Sequence, residues 1–442
     1  MREQPSHFNG EGWGSATSDK EYERLLRRHI LSLLSSCPIS FCEIVRNAGG
    51  AFPTDVRKSL HSLSTQGHVR LRGDRYSLAR KRAQSLVSPF SIRGNPIHRN
   101  DQTVERRSAR KTPLLADPHP ADYDWRFTLQ SMAKVSQLLK HDAHGSKIAL
   151  LGTPSLFLYL MQRGADAVLF DRSQSLIADL RSAGFRRNLI RHDMFQPFHH
   201  RAGKFHLALA DPPWYPEFFK AFTIRASELL SQEGLLLLSI LPWLTRPSAI
   251  SDRAEIIDFA SRVGFDLIEV SPQFFRYKTP TFELAALSTQ GIECGDWRSG
   301  DLYAFRKVRE QTERPHVPPI PGEAQWDDFR FGNLKVKLRH RDDKAQRGFH
   351  ARPITGRAPV LQTVSRRWPL RSEIDLWTSG NVAYTVEGLQ PLRAAFKMLQ
   401  KGKTPDRVGH QVAVQYALPK DHEQSLVQLL KELTEKRRHP QS

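Results

Sequence analysis

Between Lys147 and Ile240 the chain alternates short apolar runs with longer amphipathic stretches, and three of the runs stop at an aspartate. Apolar runs of this length, bounded by Gly, Pro or Asp, read as strands buried on both faces. Strands are expected at Lys147–Leu151, Ala167–Phe170, Leu189–His192, Phe205–Ala210 and Leu235–Ile240. Helices are expected from Pro154 to Arg163, Ser173 to Ala183 and Pro216 to Leu230, with Thr153 as N-cap of the first. A helix over Ala254–Val263 and a closing hairpin of Leu267–Val270 with Phe282–Ser288 complete the pattern. Strict βαβ alternation predicts an α/β architecture with a doubly wound, mostly parallel sheet.

Such a sheet binds ligands beyond the carboxyl ends of its strands. There the fourth strand runs into Asp211-Pro212-Pro213-Trp214-Tyr215. Two prolines in a row stop the strand and stiffen the loop beyond it. A rigid carboxylate beside flat rings suits a planar or amine-bearing substrate. Asp171 closes the second strand, 19 positions after Gly152, where an acid accepts hydrogen bonds from ribose hydroxyls. Asp193 closes the third and suits an adenine amino group, with Met194 beside it. Gly152 lets a ligand approach the backbone, and the helix start through Thr153 and Ser155 favours a carboxylate or phosphate.

The chain of 442 residues carries a net charge of +20 and a pI near 10.1. That favours a polyanionic partner, nucleic acid above all. Three cysteines make no disulfide framework and suit a reducing compartment. Cys37 and Cys42 have no matching pair of ligands, so no metal site is expected, and both are expected to be buried as small hydrophobes. His199-His200 reads as a solvated turn. The longest apolar run, Leu235–Leu241, is far too short to span a bilayer, and a cytoplasmic protein is expected.

The chain divides into five segments. Residues 1–18 are expected to be disordered. Over 19–80, three helices and an alternating stretch around Gly73-Asp74 make a winged helix. In the DNA-binding use of that fold the third helix enters the major groove, so Arg57, Lys58 and His61 would face the partner, with Arg70, Arg72 and Arg75 on the wing. Residues 81–116 form a basic linker that includes Arg106-Arg107-Ser-Ala-Arg110-Lys111. Residues 117–310 hold the α/β domain, and 311–442 a small α+β domain with a strand at Leu334–Leu338 and helices near Leu389–Leu399 and Gln424–Lys436.

The order of elements and the Asp211-Pro-Pro-Trp-Tyr215 motif resemble class I S-adenosylmethionine-dependent methyltransferases that act on exocyclic amines. The resemblance implies a Rossmann-like methyltransferase sheet. It implies that Asp211 and the carbonyl of Pro212 accept the N–H bonds of the amine while Trp214 or Tyr215 stacks on the base. Gly152, Thr153, Ser155, Asp171, Asp193 and Met194 would then hold S-adenosylmethionine. The loop here carries one glycine, in Leu151-Gly152-Thr153-Pro154, where that family usually has Gly-x-Gly. The layout of residues 20 to 290 also resembles the branched-chain polyamine aminopropyltransferases, through Asp124-Trp-Arg-Phe-Thr128 and the Asp-Pro-Pro motif. The expected function is methyl transfer to an exocyclic amine of a nucleic-acid base. The alternatives are aminopropyl transfer to a polyamine, or non-catalytic nucleic-acid binding.

Overall fold

The computed structural model describes residues 19–79, 115–142, 147–198, 205–310, 324–341, 348–356 and 358–435. Segment 1–18, linker residues 81–114 and His199-His200 lie outside the described residues.

The N-terminal part comprises α1 (Asp19–Leu34), β1 (Ile39–Ser40), α2 (Phe41–Asn47), α3 (Pro53–Thr65), β2 (Val69–Arg72) and β3 (Arg75–Leu78), with the strands in the order β1-β3-β2. Ser40 caps α2 reciprocally: its hydroxyl accepts from the Glu43 N–H, and the Glu43 carboxylate accepts from the Ser40 N–H. Leu26, Ile30 and Leu34 recur on one face of α1 and pack with Val56, Leu60 and Leu63 of α3. Leu244, Leu287, Ile292 and Trp297 of the central part complete that cluster, so the two parts share one core. Of the cysteines expected there, Cys37 is exposed and Cys42 only half-buried; it is Cys294 of the central part that is buried.

The crossing between the two parts is made at Gly49-Gly50. Gly50 has φ +86°, and a Cβ there would lie 2.7 Å from Thr245 Oγ1 and 2.9 Å from Pro242 Cβ. Only glycine meets both conditions. Gly50→Val is expected to cost about 2 kcal/mol or more, read as a lowered melting midpoint. An unshifted midpoint would mean that this close approach is not held in solution.

The central part holds β4 (Arg126–Phe127), α4 (Leu129–Asp142), β5 (Ile148–Leu151), α5 (Pro154–Met161), β6 (Ala167–Asp171), α6 (Gln174–Ser182) and β7 (Leu189–Arg191). It continues with β8 (Phe205–Ala210), α7 (Pro216–Leu229), β9 (Leu230–Ile240), α8 (Ala249–Arg262), β10 (Phe265–Lys278), α9 (Thr281–Ser288) and β11 (Ser299–Lys307). The sheet order is β4-β10-β11-β9-β8-β5-β6-β7; the run from β9 to β7 is parallel, and β4, β10 and β11 are added antiparallel. Alternate residues serve opposite faces. Leu151, Phe170 and Ala210 pack toward α7 and α8, whereas Leu150, Leu169 and Leu209 pack toward α4 and α5. The expected closing hairpin is only half present. Residues 281–288 form α9, and the partner of β10 is β11. Glu283-Leu-Ala-Ala-Leu287 consists of strong helix formers behind Pro280, and local propensity prevails there.

The C-terminal part has β12 (Trp326–Phe331), β13 (Leu334–Arg339), β14 (His350–Pro353), β15 (Leu376–Thr378), β16 (Ala383–Glu387), α10 (Leu389–Gln400), α11 (Pro405–Tyr416) and α12 (Lys420–Glu435). Its antiparallel sheet runs β12-β13-β15-β16-β14. Helix α11 is an addition to the expected pattern. Among the described residues no helix is long and apolar enough to cross a membrane.

Candidate active site

Because β5, β6, β7 and β8 are parallel neighbours, Gly152, Asp171, Asp193 and Asp211 all lie at strand ends on one edge of the sheet. The Asp211 N–H donates to the Leu151 carbonyl at 3.2 Å, which draws the Gly152 loop against the end of β8. Two cavities open there. A cleft of about 860 Å³ is lined by Asp171, Arg172, Asp193, Met194 and Phe195 among others. A cavity of about 390 Å³ on the other side is lined by Trp125, Trp214, Tyr215, Phe282 and Arg298 among others. Gly152, Tyr123, Asp211 and Pro213 line both, so Asp211 stands on the wall between them. A Cβ on Gly152, which has φ +69°, would come within 3.3 Å of Phe222.

Two hydroxyl groups behind Asp211 hold it in place. Tyr277 Oη donates to Asp211 Oδ1 at 2.7 Å, and Ser239 Oγ lies 2.6 Å from the same tyrosine hydroxyl. Burial pushes the Asp211 carboxyl up to about 7, while hydrogen bonds from Tyr277 and Ser239 and the charge of Arg298 pull it back. The Tyr277 hydroxyl is pushed well above its ordinary value by burial and by Asp211, so it remains a donor. Asp171 accepts from the Ser173 N–H at 2.8 Å, and burial lifts it to about 7 as well. A reaction that needs Asp211 as an acceptor requires its ionised form. The log of kcat/KM is therefore expected to rise with pH and level off near pH 7. Tyr277→Phe removes a bond that lowers the Asp211 value, so the rising limb is expected to move to higher pH. A limb unmoved in that variant would detach the profile from Asp211.

The candidate residues sort between the two cavities. Asp211, Pro212, Pro213, Trp214 and Tyr215 all line the smaller cavity; Gly152, Asp171, Asp193 and Met194 line the larger cleft. Thr153 and Ser155 line neither. Thr153 occupies the N-cap position, but its hydroxyl caps nothing and is buried without a hydrogen bond among the described residues. The Tyr215 ring lies under the guanidinium groups of Arg246 (5.6 Å) and Arg366 (5.4 Å), and its hydroxyl accepts the Arg366 backbone N–H at 3.3 Å. Trp214 meets Tyr277 edge-on at 5.7 Å.

On the third helix Arg57, Lys58 and His61 are all exposed. Its N-terminal end turns inward: Phe52 and Asp55 line the smaller cavity, and Arg57 donates to the carbonyl of Gln290. Arg70 and Arg72 are exposed too, as is Arg75, which also donates to the Pro38 carbonyl at 3.1 Å.

Arg298 is a site residue that no sequence motif singles out. Its guanidinium lies 3.9 Å over the Trp125 ring and 5.1 Å over Trp214, and its Nε is buried without a hydrogen bond among the described residues. The one available signal is Asp124-Trp-Arg-Phe-Thr128, which already brings Trp125 to this edge.

Residues 124–269 match the model of a family described as probable N6-adenine methyltransferase. The central part is a methyltransferase that uses S-adenosylmethionine. The donor set fits that cofactor: a bare glycine backbone beside Asp211, and acids after β6 and β7 on a cleft large enough for a nucleoside. The methyltransferase also matches the solved C9 mutein of the branched-chain polyamine synthase of Thermus thermophilus, in complex with N4-aminopropylspermidine and 5′-methylthioadenosine. The two are 16% identical with a TM-score of 0.52, over 67% of this chain and 90% of that one. The parent synthase in the same complex gives 15% identity and a TM-score of 0.47, over 67% and 91%. At these identities the likeness is one of fold. No curated protein sequence matches the chain.

Proposed function

We propose that this chain transfers the methyl group of S-adenosylmethionine to an exocyclic amine of a nucleic-acid base. The observation that carries the proposal is the position of Asp211, on the wall shared by a nucleoside-sized cleft and an aromatic cavity. Bound S-adenosylmethionine supplies an electrophilic methyl on a sulfonium. The chain's part is to prepare the nitrogen. An exocyclic amine is a weak nucleophile because its lone pair is delocalised into the ring. Asp211 and the carbonyl of Pro212 accept its N–H bonds and draw the hydrogens out of the ring plane, which returns the lone pair to nitrogen. Tyr277 and Ser239 fix the carboxylate, and fixed geometry replaces a search through orientations. Trp214 offers a face for the base. A base in this enclosed cavity must be single-stranded or flipped from its duplex.

The charge of the chain indicates the partner. A net charge of +20 on the chain favours association with a phosphate backbone. We read the N-terminal helices and hairpin as a winged helix whose exposed Arg70, Arg72 and Arg75 add to that attraction. Arg57, Lys58 and His61 of its third helix are exposed as well and add to the same attraction.

Calorimetric titration of the full chain with S-adenosylmethionine and with its decarboxylated form tests the donor half. Binding of S-adenosylmethionine in preference is expected, together with methyl transfer to single-stranded DNA or RNA. Preference for the decarboxylated donor, with transfer to spermidine, would replace the proposal by aminopropyl transfer. Uptake of neither donor would leave a nucleic-acid-binding scaffold.

A further inference from the structure

We propose that an arginine-lined cleft of the C-terminal part holds a backbone phosphate of a single-stranded nucleic acid whose base occupies the aromatic cavity, an inference that rests on the base-methylation reading above. The cleft measures about 500 Å³ and is lined by Arg339, Arg366, Arg367 and Arg371 together with Trp326 and Trp368, against one carboxylate, Glu217. It adjoins the substrate side of the site: Tyr123, Tyr215 and Arg367 line both. A base and its own phosphate are one sugar apart, and these two spaces are one wall apart.

The four arginines differ in how far their charge is answered. Arg366 is paired with Glu217. Arg339 donates to the carbonyls of Ile374 and Arg371 and lies 3.6 Å from Asp375. Arg371 has neutral partners, the carbonyl of Val364 at 3.1 Å and the hydroxyl of Tyr123 at 3.4 Å. Neutral acceptors orient a guanidinium and leave its charge in place. The Arg367 side chain is exposed and forms no hydrogen bond or ion pair among the described residues, although its backbone N–H is fixed by Ser365. Two uncompensated guanidinium groups, one held and one free, therefore face the cleft. An oriented fork matches phosphate oxygens. Trp326, with the Arg339 guanidinium 5.1 Å over its ring, and Trp368 also line the cleft, and aromatic walls favour a nucleotide over an acidic peptide because every base has a face to stack.

The same loop, Thr363 to Arg367, closes the aromatic cavity. The C-terminal part thus supplies both the roof over the base and the seat for the phosphate. A nucleotide bound this way enters as a splayed strand.

Binding of labelled single-stranded DNA and RNA to the full chain, read by fluorescence anisotropy across a salt series, tests the inference. Arg367→Glu is expected to weaken binding by a similar factor for every sequence and to lower the slope of log K against log salt by about 1. Arg367→Lys is expected to keep the slope, and the affinity for S-adenosylmethionine is expected to be unchanged in both variants, reporting an intact fold. An unaltered slope in Arg367→Glu overturns the phosphate cleft. So does displacement of the labelled strand by polyglutamate as readily as by unlabelled strand, which would make the cleft a seat for acidic peptide. Methyl transfer to nucleic acid by the unmodified chain separates the two levels. If transfer occurs and the slope stays, the cleft alone fails; if no base is methylated, the reading beneath it fails.

Discussion

Asp211→Asn is expected to lower kcat for methyl transfer by about 10²–10³-fold and to leave the affinity for S-adenosylmethionine within a few-fold of its original value. The asparagine side chain is nearly the same shape, and its oxygen still accepts from Tyr277. What changes is the second position, where an acceptor becomes an N–H₂ donor. A substrate amine that meets a donor there loses the hydrogen bond that reshapes its nitrogen. The same substitution has an opposite effect on stability. Burial raises the folded-state value of Asp211 from 3.8 to about 7. For a carboxyl raised on folding, stability is fully present at low pH and is lost as pH rises through the interval between the two values. At about pH 8 the folded chain carries the whole cost of the buried charge, and the neutral amide does not. The variant is therefore expected to melt at a higher temperature than the parent near pH 8, and the gap is expected to close as pH is lowered toward about 4. Parallel thermal scans and steady-state transfer assays check both halves. Full activity in Asp211→Asn would remove the residue from the chemistry, and a lower melting midpoint near pH 8 would contradict the burial that sets its ionisation.

The distribution of legible and illegible features has a physical pattern. The parallel strands were readable because a strand buried on both faces is an unbroken apolar run. Gly152, Asp171, Asp193 and Asp211 could be gathered because the same topology sends every such strand end to one edge. Where two periodicities competed, reading failed. Phe282–Ser288 is apolar enough for a strand, yet its alanines and leucines form α9. Thr153 is a cap by residue type, but its hydroxyl is buried without a hydrogen bond among the described residues. The inward turn of α3 was invisible because it depends on Gly50 meeting Pro242 and Thr245, far along the chain. The walls of the aromatic cavity are harder still. Phe52, Arg298 and Thr363 come from three separate parts and meet only after the whole chain has folded. A motif reports one element; a cavity between elements has no local signature.

Arg298 is where that blind spot has the largest consequence, and Arg298→Leu is expected to cost about 1–2 kcal/mol in stability. The guanidinium lies against four aromatic rings, those of Trp125, Trp297, Trp214 and Phe52, at 3.9, 5.0, 5.1 and 5.5 Å. Beside it Glu283 is 1% exposed, and its Oε2 has no hydrogen bond among the described residues. Burial raises the Glu283 carboxyl, and the charge of Arg298 opposes that rise. Without Arg298 the acid loses the positive charge that opposes the rise and is pushed further toward its neutral form. Leucine also leaves the indole faces without their cation. Asp211 loses a positive neighbour that holds its value down, so the rising limb of kcat/KM is expected to move to higher pH, as in Tyr277→Phe. A double-mutant cycle separates charge from packing. If the cost is the orphaned acid, Glu283→Gln in the Arg298→Leu background restores part of the stability, and the coupling energy is of order 1 kcal/mol or more. Strict additivity of the two single losses would assign the effect to the aromatic contacts alone. In either case a cation among rings forms part of the wall of the aromatic cavity, and the shape of that cavity is expected to be as sensitive to Arg298 as its proposed chemistry is to Asp211.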